Sequence, residues 1–166
     1  GVEIDRGRPG GDVDVVALLN QTFYQDASQL TATEKQLLEA GTSRATYGWD
    51  EFRKDLLDAL CYHFGADNVT EGNKSLKVKG NSSRLPADVV PCIKFRLYFR
   101  YWSEQDQRYV DGITFWTRRE VRQVVNFPSQ HYDNGCAKNS DQHTGGEYKP
   151  SVRMFKNART RMVDIG

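Results

Sequence analysis

The stretch that most constrains this chain is Gly10-Gly11-Asp12-Val13-Asp14-Val15-Val16. A valine-rich run of this kind favours a strand. Strand side chains alternate, so Asp12 and Asp14 share one face while Val13 and Val15 take the other. Two carboxylates on one face repel each other and gain nothing from packing. A divalent cation is the usual compensation. The glycines just before them let backbone N–H groups approach a phosphate chain closely.

Composition narrows the setting. The chain has 166 residues, the size of one domain or slightly more. Its 23 Lys+Arg and 22 Asp+Glu leave a net charge of +1, so no global field draws it to nucleic acid. Mean hydropathy is a polar −0.69, yet 11% aromatic residues argue for a packed core rather than disorder. Cys61, Cys92 and Cys136 are odd in number and form no CxxC pair, which reads as reduced thiols in a cytoplasmic protein. No apolar run reaches the length of a membrane span. The chain opens on Gly1 rather than Met and stops inside a helical pattern, so pieces are expected beyond both ends.

Taken in order, Gly1–Gly11 reads as loop and Asp12–Leu19 as a strand. Gln21–Ala32 reads as irregular. Thr33 and Gln36 suggest a capping box opening a short helix, Glu34–Ala40, closed by Gly41. A longer helix is predicted over Trp49–Phe64, where Trp49, Phe52, Leu56, Leu57, Leu60 and Phe64 share a face. Strand signals follow at Asn68–Glu71, Ser75–Lys79, Pro86–Trp102 and Tyr109–Trp116; over Thr117–Asn126 a helix capped by Thr117 and Glu120 competes with a hairpin, which the alternation of Val121, Gln123, Val125 and Phe127 favours and Pro128 ends. His131–Gly146 reads as loop, and a helix begins near Pro150. This order is mixed α/β with local hairpins, not a regular βαβ alternation.

Asp88 repeats the first motif's setting, an acid followed by Val-Val in an otherwise apolar run. An isolated buried carboxylate is costly, which makes it informative. If its strand lies beside Asp12–Leu19, three carboxylates meet, a donor set suited to a pair of Mg²⁺ ions. Two such ions clamp the attacking and leaving oxygens of an in-line phosphoryl or nucleotidyl transfer. One carboxylate beside the attacking hydroxyl also serves as general base. The plain alternative is a solvated strand edge.

The glycine pair with Asp-Val-Asp, followed by a distant strand acid, resembles the DNA polymerase β-type nucleotidyltransferase superfamily. Gly72–Val78, Ala87-Asp88-Val89-Val90-Pro91-Cys92, Asn126-Phe127-Pro128 with His131, Asn134-Gly135, Lys138-Asn139, Tyr148-Lys149 and Val152-Arg153 with Phe155-Lys156-Asn157 narrow it further. Together they resemble the CD-NTase (cyclic GMP-AMP synthase/DncV-like nucleotidyltransferase) family, over most of Asp12–Arg161. The resemblance implies a polymerase β-like α+β core with a mixed, mostly antiparallel sheet flanked by helices. It implies a catalytic core over 1–143, with 144–166 starting a long helix toward a C-terminal helical half. It implies Asp12, Asp14 and Asp88 as catalytic and metal ligands for two Mg²⁺ ions, with Mn²⁺ as a substitute. Gly10, Gly11, Arg153 and Lys156 are its nucleotide-binding candidates.

The implied activity is synthesis of cyclic or linear oligonucleotide signals from NTPs, ATP among them, in anti-phage defence beside an effector that reads the product. Nucleic acid is not a required partner. One departure stands out. The family's Gly-Ser turn, whose serine holds the donor phosphates, is not found ahead of Asp12. It lies upstream of Gly1 or has diverged. Transfer to an RNA end or a protein hydroxyl, and an inactive nucleotide-binding fragment, are the alternative readings.

Other clusters have bland and sharp readings. His131, Cys136 and His143 invite zinc, but their spacing is irregular. Arg96, Arg100 and Arg108 among Tyr98, Tyr101 and Trp102 suit either nucleic acid or a half-exposed strand. Lys74, Lys77 and Lys79 read as a solvated strand edge, with phosphate contact as the sharper alternative.

Overall fold

In a computed structural model, residues 12–163 are described, with side chains as far as Phe155. The chain divides into two compact units at the Asn126/Phe127 junction.

The first unit is a six-stranded sheet with helices on it. The strands are β1 (Val13–Asp26), β2 (Val69–Glu71), β3 (Leu76–Val78), β4 (Ala87–Tyr101), β5 (Gln107–Trp116) and β6 (Gln123–Asn126). They run in the order β2-β3-β4-β5-β6, with β1 paired to β4. That pairing is parallel and the others are antiparallel, which matches the mixed, mostly antiparallel sheet expected.

β4 organises the sheet. Its 15 residues are rich in β-branched and aromatic types, and a strand has only two edges. β1 takes one edge from Ala87 to Leu97. β3 and β5 share the other, β3 along Ala87–Val89 and β5 from Ile93 onward. Pro91 falls in the gap between them. It has no N–H to offer a ladder, and its carbonyl accepts from Trp49 Nε1 at 2.8 Å.

The helix α2 (Trp49–Phe64) has the bounds its periodicity predicts. Its Asp50 and Glu51 sit in the first turn and His63 in the last, each at the favourable end of the helix dipole. Gly65 ends it at φ 87°, a conformation that strains any residue with a Cβ. Leu56, Leu57, Leu60 and Phe64 pack on the buried Leu76, Val78 and Val89, and Val15 and Ala17 pack on the same cluster. Each fully buried side chain of this size contributes roughly 1.5–3 kcal/mol. Because Val15 and Ala17 face α2, alternation turns Asp14, Val16 and Leu18 to the opposite face.

Three sequence expectations are corrected. The strand beginning near Asp12 does not end at Leu19 but runs to Asp26, past a bulge between Leu19 and Phe23 that breaks its alternation. The helix α1 (Ala32–Gly41) opens earlier than Glu34. Its cap is Thr31 rather than Thr33, with Glu34 completing the box by accepting from the Thr31 backbone N–H. Thr31 lies three before an acid, whereas Thr33 leads only to Gln36.

The third correction falls in the second unit. The expected loop His131–Gly146 is helical in α3 (Pro128–Lys138) and the one-turn α4 (Asp141–Thr144). Pro128 follows the last strand of the hairpin and is also the first residue of α3. α3 buries no side chain, so it carries no apolar period to read. α5 (Tyr148–Val163) holds Pro150 in its first turn, as predicted. Of the hairpin favoured over Thr117–Asn126, the segment supplies the turn and β6, which pairs back on β5, and the turn is closed by Arg122 N–H donating to Thr117 Oγ1 at 3.0 Å.

Candidate active site on the open face of the sheet

The parallel register places Asp14 directly opposite Asp88, and the antiparallel register places Asp88 opposite Lys77. Directly paired residues point to the same face. Asp14, Asp88 and Lys77 therefore form one row across β1, β4 and β3, on the side away from α2. Asp12 lies one residue before β1 begins, and both it and Asp14 are exposed. Asp88 is half-buried, and Lys77 Nζ stands 3.6 Å from its Oδ2. The strands that deliver these acids are held by the valines between them, which look the other way into the core. Alternation thus presents charge outward and apolar surface inward from the same few residues.

The donor chemistry of the row fits Mg²⁺ in kind, since Asp12, Asp14 and Asp88 offer only hard carboxylate oxygens. Among the described residues, however, no group of three or more His, Cys, Asp or Glu side chains is drawn together around one point. That holds for His131, Cys136 and His143 as well. Cys136 Sγ instead receives Lys149 Nζ at 3.6 Å.

Of the nucleotide-binding candidates, Gly10 and Gly11 lie outside the described residues, as does the side chain of Lys156. Arg153 is exposed on α5, in the second unit. The basic and aromatic cluster resolves into packing. The Arg96 guanidinium lies 4.4 Å from the Phe23 ring centre and 4.5 Å from that of Tyr109. Arg100 makes a two-pronged pair with Asp106 at 2.8 and 2.9 Å. Cys92, two strand positions from Val90, is buried, and desolvation pushes its thiol up to about 11, which makes it an inert core residue.

Sequence reasoning placed both acids on strands, but not their register. It read Lys77 as part of a solvated strand edge and did not place it beside Asp88. It also missed two recesses away from the acid row. A groove of about 1160 Å³ runs beside Gln21–Gln25 and the Thr42–Gly48 loop. A cavity of about 420 Å³ lies among Tyr24, Trp49, Arg53 and Trp116. Neither is lined by Asp12, Asp14 or Asp88.

Comparison with known proteins carries the geometry further. No family model matches the chain. A cyclic UMP-AMP synthase of Rhodothermus marinus is 44% identical over 96% of this chain and 52% of its own length. The cyclic nucleotide synthase CdnE01 of Staphylococcus haemolyticus is 38% identical over 92% of this chain and 50% of its own. The solved Rhodothermus marinus CdnE c-UMP-AMP synthase, with Apcpp and Upnpp, superposes with a TM-score of 0.76 at 45% identity. That match covers 96% of this chain and 51% of the solved one. Over 96% of its length the chain is thus similar to CD-NTases. A second CD-NTase structure, the Elizabethkingia meningoseptica CdnE cyclic dinucleotide synthase with GTP and Apcpp, superposes with a TM-score of 0.66 at 30% identity. The chain spans about half the length of the curated relatives it matches. Among its described residues, no helix is long and apolar enough to cross a membrane.

Proposed function

We propose that this chain is the catalytic core of a nucleotidyltransferase that joins NTPs into a cyclic dinucleotide. The observation that carries the reading is the pairing of Asp14 with Asp88 in a sheet similar to that of CD-NTases. Both acids stand on the open face, where a substrate reaches them. The acceptor nucleotide's 2′- or 3′-hydroxyl attacks the α-phosphate of the donor NTP. The new bond is O–P, the α–β phosphoanhydride breaks, and pyrophosphate leaves. Asp88 accepts the hydroxyl proton as that bond forms, a role worth about 10²–10⁴-fold in rate. Asp12, Asp14 and Asp88 would hold the two Mg²⁺ ions, or Mn²⁺ in their place. When bound, such ions offset charge on the attacking and leaving oxygens.

The relatives' names extend the reading. The relatives matched are named as cyclic UMP-AMP and cyclic nucleotide synthases, and the solved relatives hold Apcpp with Upnpp or GTP with Apcpp. NTPs are accordingly the substrates of this protein. Gly10, Gly11, Arg153 and Lys156 are assigned to the nucleotide phosphates, and 144–166 to the helix leading from the core into a C-terminal helical half. A cytoplasmic role in anti-phage defence, beside an effector that reads the product, rests on the family alone.

The test uses full-length protein, labelled NTPs and Mg²⁺ without added polymer. Small phosphatase-resistant products, lost in Asp14→Asn and Asp88→Asn, are the expected result. Label found only on RNA or on protein would replace this reading with transfer to a polymer end or a side-chain hydroxyl. No label anywhere would mark an inactive nucleotide-binding remnant.

A further inference from the structure

The row that carries Asp14 and Asp88 has a third member. β4 lies between β1 and β3, so Asp88 has an acid on one flank and the Lys77 ammonium on the other. Neighbouring strands stand about 4.8 Å apart, so Asp88 is one strand away from each of the other two. The Lys77 side chain is 57% exposed and that of Asp88 26%. A pair so wetted adds little to folding stability, so stability does not account for a cation held at this register. Its neighbours are engaged otherwise. Lys79 Nζ donates to the Asp67 carbonyl at 2.7 Å, and Lys74 lies outside the paired strand.

We propose that Lys77 is a positioning residue for the acid row. Its ammonium draws Asp88 Oδ2 toward β3 and so leaves the second oxygen turned toward Asp14, where the acceptor hydroxyl must come. This rests on the reading of Asp14 and Asp88 as the catalytic acids. Two effects of opposite sign follow from the one charge. The ammonium repels divalent cations from the row in the nucleotide-free protein. It also keeps Asp88 in the orientation that the reaction uses.

Full-length Lys77→Gln is therefore expected to bind Mn²⁺ about threefold more tightly in the absence of nucleotide, read by electron paramagnetic resonance, because a nearby positive charge is gone. Its kcat at saturating NTP and metal is expected to fall about tenfold, because Asp88 is no longer held. Lys77→Arg keeps the charge and should stay within about twofold of wild type in both measurements. A merely structural lysine would lower the melting temperature and would not tighten Mn²⁺ binding. Tighter Mn²⁺ binding together with lowered kcat in Lys77→Gln supports the proposal, and any other combination overturns it. Asp88→Asn separates the two layers. If Asp88→Asn retains activity, the acid reading itself fails. If Asp88→Asn is inactive while Lys77→Gln matches wild type, only the role of Lys77 fails.

Discussion

Two carboxylates meet β4, one near each end, and their surroundings differ in almost every respect. Asp88 stands half-buried at the start of the strand with one cation 3.6 Å away. Glu34 reaches the other end from α1 and is buried. Its Oε1 accepts from the Tyr101 backbone N–H at 3.2 Å, and its Oε2 accepts from the Thr31 N–H at 3.0 Å and hydroxyl at 2.7 Å. Around it lie Leu30, Leu38, Tyr98 and Tyr101. Glu34 spends its lone pairs on the fold, capping a helix and closing a strand. Among the described residues Asp88 meets only the Lys77 ammonium at 3.6 Å, and under the proposed function its other acceptor sites and those of Asp14 are left for substrate and metal. A carboxylate assigned to chemistry is thus marked less by burial than by unspent acceptor capacity.

The sharpest way to break this contrast is to remove charge at each end. Asp14→Asn or Asp88→Asn in the full-length protein should reduce dinucleotide synthesis at least about a hundredfold. The melting temperature should be unchanged or slightly raised, since like charges no longer face each other. A large loss of stability instead would place these acids on the structural side of the comparison. At the far end, Leu38→Ala should cost about 2–5 kcal/mol in urea unfolding, because Leu38 is only 1% exposed. Its rate per folded molecule should hold.

Glu34→Gln probes the same end through pH. Hydrogen bonds from the Thr31 hydroxyl, the Thr31 N–H and the Tyr101 N–H hold its carboxyl below the ordinary value of 4.5. Its contribution is therefore present above that value and lost as pH falls through the lowered one. Wild type should lose melting temperature in that acid window, and Glu34→Gln should start lower and lose less. An unchanged acid limb would show that the bonds to Glu34 contribute nothing. The smallest effect expected is Thr31→Ala, about 1 kcal/mol from the lost cap, checked by the same urea titration.

Much of the α2 side of this molecule was legible in the sequence. Trp49–Phe64 carries a full apolar period, acids at its start and a glycine at its stop, so local and tertiary preferences agree. The acids were legible as strand acids for a similar reason, being misfits in valine-rich runs. What stayed hidden was long-range. Nothing in Asp14 or Asp88 states that β1 and β4 run parallel, since register emerges only when two strands share a core. The continuation of β1 to Asp26 was obscured by its bulge, and α3 by having no buried face. The cap at Thr31 was missed by two residues because two threonines compete there and only one has Glu three positions on.

Pro91 separates these two ends mechanically. On one edge of β4 the ladder stops with β3 at Val89 and resumes with β5 at Ile93, and a single indole hydrogen bond fills the interval. On the other edge β1 continues past the proline, pairing Ala17 with Pro91, Leu18 with Cys92 and Leu19 with Ile93. The strand that carries Asp14 therefore also spans the interruption on the other edge of β4.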